Sequence, residues 1–228
     1  MEKSWIIFIR LTLHQIYTHG IRGFFIVLLA TVFSGYVIIA EYGYHIRLVT
    51  REVSFVPPFA TLMILTELGP ILACLLLTAF SGASLAAETG MMRLTEQWDA
   101  FQVERIPKWQ FYILPRILAC TLISIGLTLF NIAGELTAAV FVSPYTLGLT
   151  PQLFFNRLFM LTDNIDLVQG LVKACVFGVT YPSIAIYTGL KARRTAASIG
   201  TQATQAVVMA SMSIIALDFF ISFLFSLT

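Results

Sequence analysis

Charge is scarce in this sequence. Only 11% of its 228 residues are Asp, Glu, Lys or Arg, against about 25% in an ordinary soluble protein. So little polar surface cannot solvate a chain of this size in water, which excludes a free globular domain. The net formal charge of +2 is too small to point to nucleic acid as a partner. Cysteine is rare as well. Cys74, Cys120 and Cys175 lie in apolar runs without CxxC or ligand spacing, and they read as small packing residues. His14, His19 and His45 form no HExxH or paired-ligand pattern, so no metal is expected. The sequence has no glycine-rich phosphate loop ending in Lys-Ser or Lys-Thr, and so no nucleotide site of its own. No Ser/His/Asp set points to a nucleophile, and no catalytic residue is assigned. A cleavable signal peptide is not expected, because the first long apolar run begins only at Phe24 and no small-residue cleavage site follows.

Hydrophobic residues, at 58% of the chain and a mean hydropathy of +0.86, occupy the space that charge leaves. They fall into five runs long enough to cross a bilayer, which takes about 20 residues. These are Phe24–Ala40, Pro58–Ala87, Ile113–Val142, Leu167–Leu190 and Ala196–Leu227. Continuous apolarity fits helices rather than the alternating strands of a barrel. The expected fold is therefore an all-α integral membrane protein: one five-span domain over 23–228, preceded by a segment at 1–22. In that first segment Trp5, Ile9, Leu13 and Ile16 share one helical face, and Lys3, Arg10 and His14 share another. Such a helix lies along the membrane surface before the chain turns inward at Gly20–Gly23. With the N-terminus placed inside, ten Lys and Arg residues fall on the inner side and four outside. The positive-inside rule then puts the N-terminus in the cytoplasm, the C-terminus outside and residues 88–110 in the cytoplasm.

The 88–110 segment has helical spacing, with Glu88, Met91, Met92, Thr95 and Asp99 on one face, and it stops before Pro107. Glu88, Glu96, Asp99 and Glu104 make it acidic. It reads either as a solvated loop or as a docking helix for a cytoplasmic partner with a basic groove. Small residues recur every fourth position at Gly82, Ala86 and Gly90, at Ala174 and Gly178 ahead of Pro182, and at Ala185 and Gly189. In lipid these ladders let helix backbones approach closely, within one chain or between two copies. Pro70 and Pro182 are expected to kink their spans.

Five ionisable residues, Glu41, Glu67, Glu135, Lys173 and Asp218, fall in the outer half of the spans. Each costs at least ~2.5 kcal/mol in lipid, so such groups face a bundle interior or a wet cavity and pair there. One reading is a polar outward vestibule above an apolar chamber, suited to an amphiphile, with Lys173 meeting an anionic headgroup. The alternative is a structural pair of Lys173 with Glu67 or Glu135 that locks helices together.

ELGPIL at 67–72, GASLAAETGMM at 82–92, TEQWDA at 95–100 and LPR at 114–116 resemble the MlaE-type (YrbE) permeases, as do KACVFG at 173–178, AASIGTQATQAVV at 196–208 and Asp218. These are membrane subunits of ABC transporters that move lipids between inner and outer membranes with MCE-domain partners. The resemblance implies a homodimer, two cytoplasmic P-loop ATPase subunits carrying the ATP and Mg, a periplasmic MCE protein and phospholipid cargo. It places the chain in a bacterial inner membrane as a transport subunit rather than an enzyme. It also implies that a coupling helix at about 88–106, with Glu88, Met92, Thr95, Glu96 and Asp99, seats in the ATPase. Two positions depart from the pattern: Phe80 stands where relatives carry Arg, and Glu41 where they carry Gln. The runner-up function is an ion-coupled secondary transporter using Glu67, Glu135 and Asp218, for which the expected inverted repeats are not found. A scaffold without transport is the third reading.

Overall fold

Five long helices, each apolar enough to span a bilayer, stand side by side in the protein. The computed structural model describes residues 2–50, 52–158 and 160–227. The side chains of residues 1–5, 22, 47, 50, 51, 159 and 228 lie outside that description, and with them the expectations for Lys3, Trp5, Arg22, Arg47 and Arg51. Helix α1 (Glu2–Gln15) passes through a π-helical turn, Ile16–Gly20, into α2 (Ile21–Thr50). Next come α3 (Val53–Leu94), a short α4 (Gln97–Val103) and α5 (Trp109–Thr146). The small α6 (Pro151–Arg157), then α7 (Asn164–Leu190) and α8 (Ala196–Ser226), complete the chain. No strand occurs among the described residues, as lipid requires of a backbone that must satisfy its own hydrogen bonds.

Each expected span is present, and most run longer than their apolar stretch. At 1.5 Å per residue the 42 residues of α3 reach ~60 Å, about twice the hydrocarbon thickness. The excess extends the helix through Glu88 and Arg93, beyond its apolar stretch. Two π-helical turns interrupt α3, at Ile64–Leu68 and Thr78–Gly82. The first stands directly before Pro70, whose missing N–H breaks the regular ladder there.

The segment at 88–106 differs from the single docking helix expected. Residues 88–94 are the end of α3, and the helix stops at Thr95, where the Thr95 N–H donates to the Met91 carbonyl at 2.9 Å. Glu96 then adopts φ 60, in the left-handed region, before α4 begins. Thr95 and Asp99 therefore do not continue the helical face of Glu88. Glycine or asparagine ordinarily takes such a helix-ending position, so a glutamate there leaves no signal in the sequence.

Two apolar cores fill the bundle. One gathers Val27, Ala73, Leu77, Leu127, Phe177 and Ile214, and the other Ile39, Ile64, Leu65, Ile132, Ala139 and Phe154. Along α2 and α5 the buried polar residues Thr31 and Asn131 come at the step from one core to the other. Cys74 and Cys120 are buried in the first core, whereas Cys175 is exposed.

Small residues set the spacing of the helices. A Cβ on Gly178 would stand 2.8 Å from the Thr121 Cα of α5, and one on Gly189 would stand 2.6 Å from the Ala86 carbonyl of α3. Ala86 and Gly90 are both buried on that seam, and Gly90 faces Ala192 and Ile199. Gly82 is the exception among the expected packing positions, because a Cβ there meets only ordinary contacts at 3.7–3.8 Å. Gly178→Val is accordingly expected to force α5 and α7 apart and to cost about 1–3 kcal/mol. A variant that melts with the parent in detergent would contradict the close approach.

Candidate functional site: a buried charge lock and a braced turn

The first π-helical turn of α3 brings Glu67 against α7 and α8. Lys173 Nζ of α7 lies 2.6 Å from Glu67 Oε2 and 2.8 Å from Asp218 Oδ1 of α8. Ser222, one turn beyond Asp218, donates its hydroxyl to Glu67 Oε1 at 2.8 Å. The Lys173 side chain is fully buried, and those of Glu67 and Asp218 are 25% and 14% exposed. An unpaired ammonium at such a place would cost several kcal/mol, and the two carboxylates offset that cost while leaving one net negative charge. The cluster ties three spans together at one depth.

The five ionisable groups expected at one depth do not form a single vestibule. Only Glu67, Lys173 and Asp218 meet. Lys173 is enclosed and its charge is met by protein carboxylates, with Glu67 as one foreseen partner and Asp218 as an unforeseen second. Glu41 is two-thirds exposed on α2, next to His45 at 3.6 Å. Glu135 is fully buried on the α2-facing side of α5, where Asn131 Nδ2 donates to its Oε1 at 3.1 Å. The same amide reaches the Gly69 carbonyl of α3 at 3.1 Å, and the Thr31 hydroxyl of α2 donates to Asn131 Oδ1. Asn131 is thus the polar joint of α2, α3 and α5, and sequence reading missed it because a lone Asn carries no charge signal. Asn131→Leu would take the amide donor from the buried Glu135 Oε1 and is expected to cost about 1–3 kcal/mol. Glu135→Gln retains an acceptor for the amide and should melt close to the parent. The reverse order of stabilities would contradict this arrangement.

A second cluster braces the turn after α3. Arg194, in the loop between α7 and α8, donates through one guanidinium nitrogen to Glu96 Oε1 and through the other to Asp99 Oδ2, each at 2.8 Å. Arg93 at the end of α3 donates to the Leu190 carbonyl at the end of α7. The 95–99 turn is therefore tied to the chain entering α8. Thr95 is exposed and bonds back to the Met91 carbonyl at 3.0 Å, and Met92 is half-buried. Glu88 points elsewhere: it pairs with Arg116 of α5, whose guanidinium stacks on the Tyr112 ring at 3.7 Å from its centre. Of the five expected docking residues, only Glu96 and Asp99 share a site. Arg194 was legible beforehand only as one of many inner-side charges, although acids at i and i+3 opposite an Arg-Arg pair were a usable signal.

Span α8 is the least covered helix. Within its most apolar stretch 17% of residues are buried, against 33–56% in the other spans. Ala206, Ala210, Ile214 and Ile221 face the bundle, while Met212, Ile215, Phe219 and Phe223 face outward. Thr201, Thr204 and Gln205 add exposed polar groups near its start. Among the described residues no three His, Cys, Asp or Glu side chains gather as a metal site.

Residues 12–224 match the family described as Permease MlaE. A probable ABC transporter permease protein of Rickettsia bellii (strain RML369-C) is 30% identical over 219 residues, covering 96% of this chain and 84% of that one. The intermembrane phospholipid transport system permease protein MlaE of Haemophilus influenzae is 27% identical over 213 residues, covering 93% and 81%. Protein TRIGALACTOSYLDIACYLGLYCEROL 1, chloroplastic, of Arabidopsis thaliana is 27% identical over 159 residues, covering 70% of this chain and 45% of that one. With five spanning helices and a family match over nearly its whole length, the chain belongs to the MlaE permease family.

Proposed function

We propose that this permease moves phospholipid, or a lipid like it, between a bacterial inner membrane and the outer envelope, driven by ATP hydrolysis on separate P-loop subunits. The observation that carries the reading is the brace from Glu96 and Asp99 through Arg194 to the start of α8. A partner that grips the 95–99 turn has a mechanical route to the span that the rest of the chain covers least. The Haemophilus influenzae relative is named for phospholipid transport, and the apolar bundle suits such cargo. The Lys and Arg distribution supports a cytoplasmic N-terminus and 95–99 turn, with the C-terminus on the periplasmic side.

Within this reading a second copy covers the outward face of α8, where large apolar groups and Thr201, Thr204 and Gln205 lie exposed. A lipid path then forms between the two copies, and the Glu67–Lys173–Asp218 lock holds α8 closed until the ATPase stroke arrives. An MCE-domain protein receives or delivers the lipid on the periplasmic side. Glu88 and Met92 support the turn from the end of α3, with Glu88 acting through Arg116. Glu41 stands at the outer mouth, and Glu135 lies inside the bundle wall.

A second reading, ion-coupled transport, has one observation in its favour: two carboxylates share a single buried ammonium, an arrangement a proton or cation could unbalance. Affinity purification of the tagged chain in mild detergent, with subunit masses and lipid extraction, separates the two. A P-loop ATPase, an MCE-domain protein and bound phospholipid are expected. The chain alone, even after crosslinking through residues 95–99, would overturn the ATP-driven reading.

A further inference from the structure

A large hollow lies away from the charge lock, beneath α1. It encloses about 920 Å³ between α1, the end of α3, α4 and the start of α5, near the upper end of the ~300–1,000 Å³ range of small-molecule sites. Ile7 and Leu11 of α1 cover it, and Met92, Phe101, Ile106 and Phe111 supply apolar walls. Three charged side chains also line it: Arg105, Arg116 and Glu88. Arg116 is nine-tenths buried and spends part of its guanidinium on Glu88, yet its Nε–H finds no acceptor among the described residues. Arg105 is exposed, and its backbone holds φ 55, so the turn carrying it is set by more than local preference. The three charges sum to one net positive.

Apolar walls with an orphaned buried donor and an excess positive charge ask for a ligand that is both greasy and anionic. α1 itself shows where it would come from. Ile6, Ile9 and Leu13 are exposed along it with Arg10 and His14 nearby, the pattern of a helix lying at a membrane interface. A leaflet therefore abuts the hollow. We propose that this hollow holds one anionic phospholipid from that leaflet as a resident rather than as cargo. Its phosphate accepts from Arg116 Nε and the Arg105 guanidinium, and an acyl chain lies against Met92, Phe101 and Phe111. Because the walls include the end of α3 and α4, the bound lipid stiffens the same turn that Arg194 braces.

The test is native mass spectrometry of the full-length chain, equilibrated with an equal mixture of phosphatidylglycerol and phosphatidylcholine. The parent is expected to retain one phosphatidylglycerol. Arg105→Gln should lower that retention about tenfold, the weight of one charge-assisted contact. Leu11→Trp, which fills the hollow from α1, should expel the lipid with the charges intact. A photoactivatable phosphatidylglycerol should label the peptides containing Met92 and Phe111. Equal retention of both lipids, retention unmoved by either variant, or labelling elsewhere would overturn the proposal. So would crosslinks from position 92 to a protein partner in place of lipid. None of these readouts depends on transport, so the site and the transport reading stand or fall separately.

Discussion

Lys173→Met is expected to be the most damaging single substitution in the chain, lowering stability by about 3–5 kcal/mol, the usual cost of stripping one partner from a buried ion pair. It would leave Glu67 and Asp218 facing each other with the ammonium between them gone. The neutral triple variant Glu67→Gln, Lys173→Met, Asp218→Asn should recover most of that loss, because no uncompensated charge remains. Melting in detergent reads the stability, and lipid transfer by the assembled complex reads the role. If the cluster is only a lock, transfer returns with stability in the triple variant. If the charges handle a headgroup or an ion, the triple variant folds and stays inactive. A Lys173→Met chain that melts with the parent would remove the lock from the account.

Arg194→Glu is the second large effect, and it should fall on coupling rather than on folding. Exposed ion pairs are worth about 0–1 kcal/mol each, and Arg194, Glu96 and Asp99 are all more than half exposed. With two such pairs lost, stability should therefore move by ~2 kcal/mol at most. The substitution places three acids together and pushes the 95–99 turn away from the loop before α8. Lipid moved per ATP hydrolysed is expected to fall about tenfold, the weight of ~1.4 kcal/mol of lost positioning, while hydrolysis continues. Reversing the partners, with Glu96→Lys and Asp99→Lys in the Arg194→Glu background, should restore the ratio. Normal coupling in Arg194→Glu would show that the stroke reaches α8 by another route.

The spans were legible because lipid imposes long apolar runs, and five such runs are hard to mistake. The end of α3 was not legible, since its helical spacing continues through Asp99 while the backbone turns left-handed at Glu96. That turn is held by Arg93 and Arg194, which reach it from about 95 residues away or to the far end of another span. The charge lock was half legible. Lys173 demanded a carboxylate, but choosing among Glu67, Glu135 and Asp218 needed the rotation of each helix. The π-helical turn at Ile64–Leu68 shifts that rotation in α3, and no simple periodicity encodes it. Phe80, a departure from the family pattern, lies half-buried in the second such turn, at Thr78–Gly82. Glu41, the other departure, is exposed beside His45. Nothing in the structure explains either exchange.

The central claim is that ATP hydrolysis elsewhere moves lipid through this chain by way of the braced turn. The direct measurement is transfer of a fluorescent phospholipid from proteoliposomes containing the purified complex to acceptor vesicles, with and without ATP, for the parent and Arg194→Glu. The account predicts transfer that requires ATP and that drops in the variant at an undiminished hydrolysis rate. Transfer that ignores ATP and follows an imposed proton or sodium gradient would contradict it.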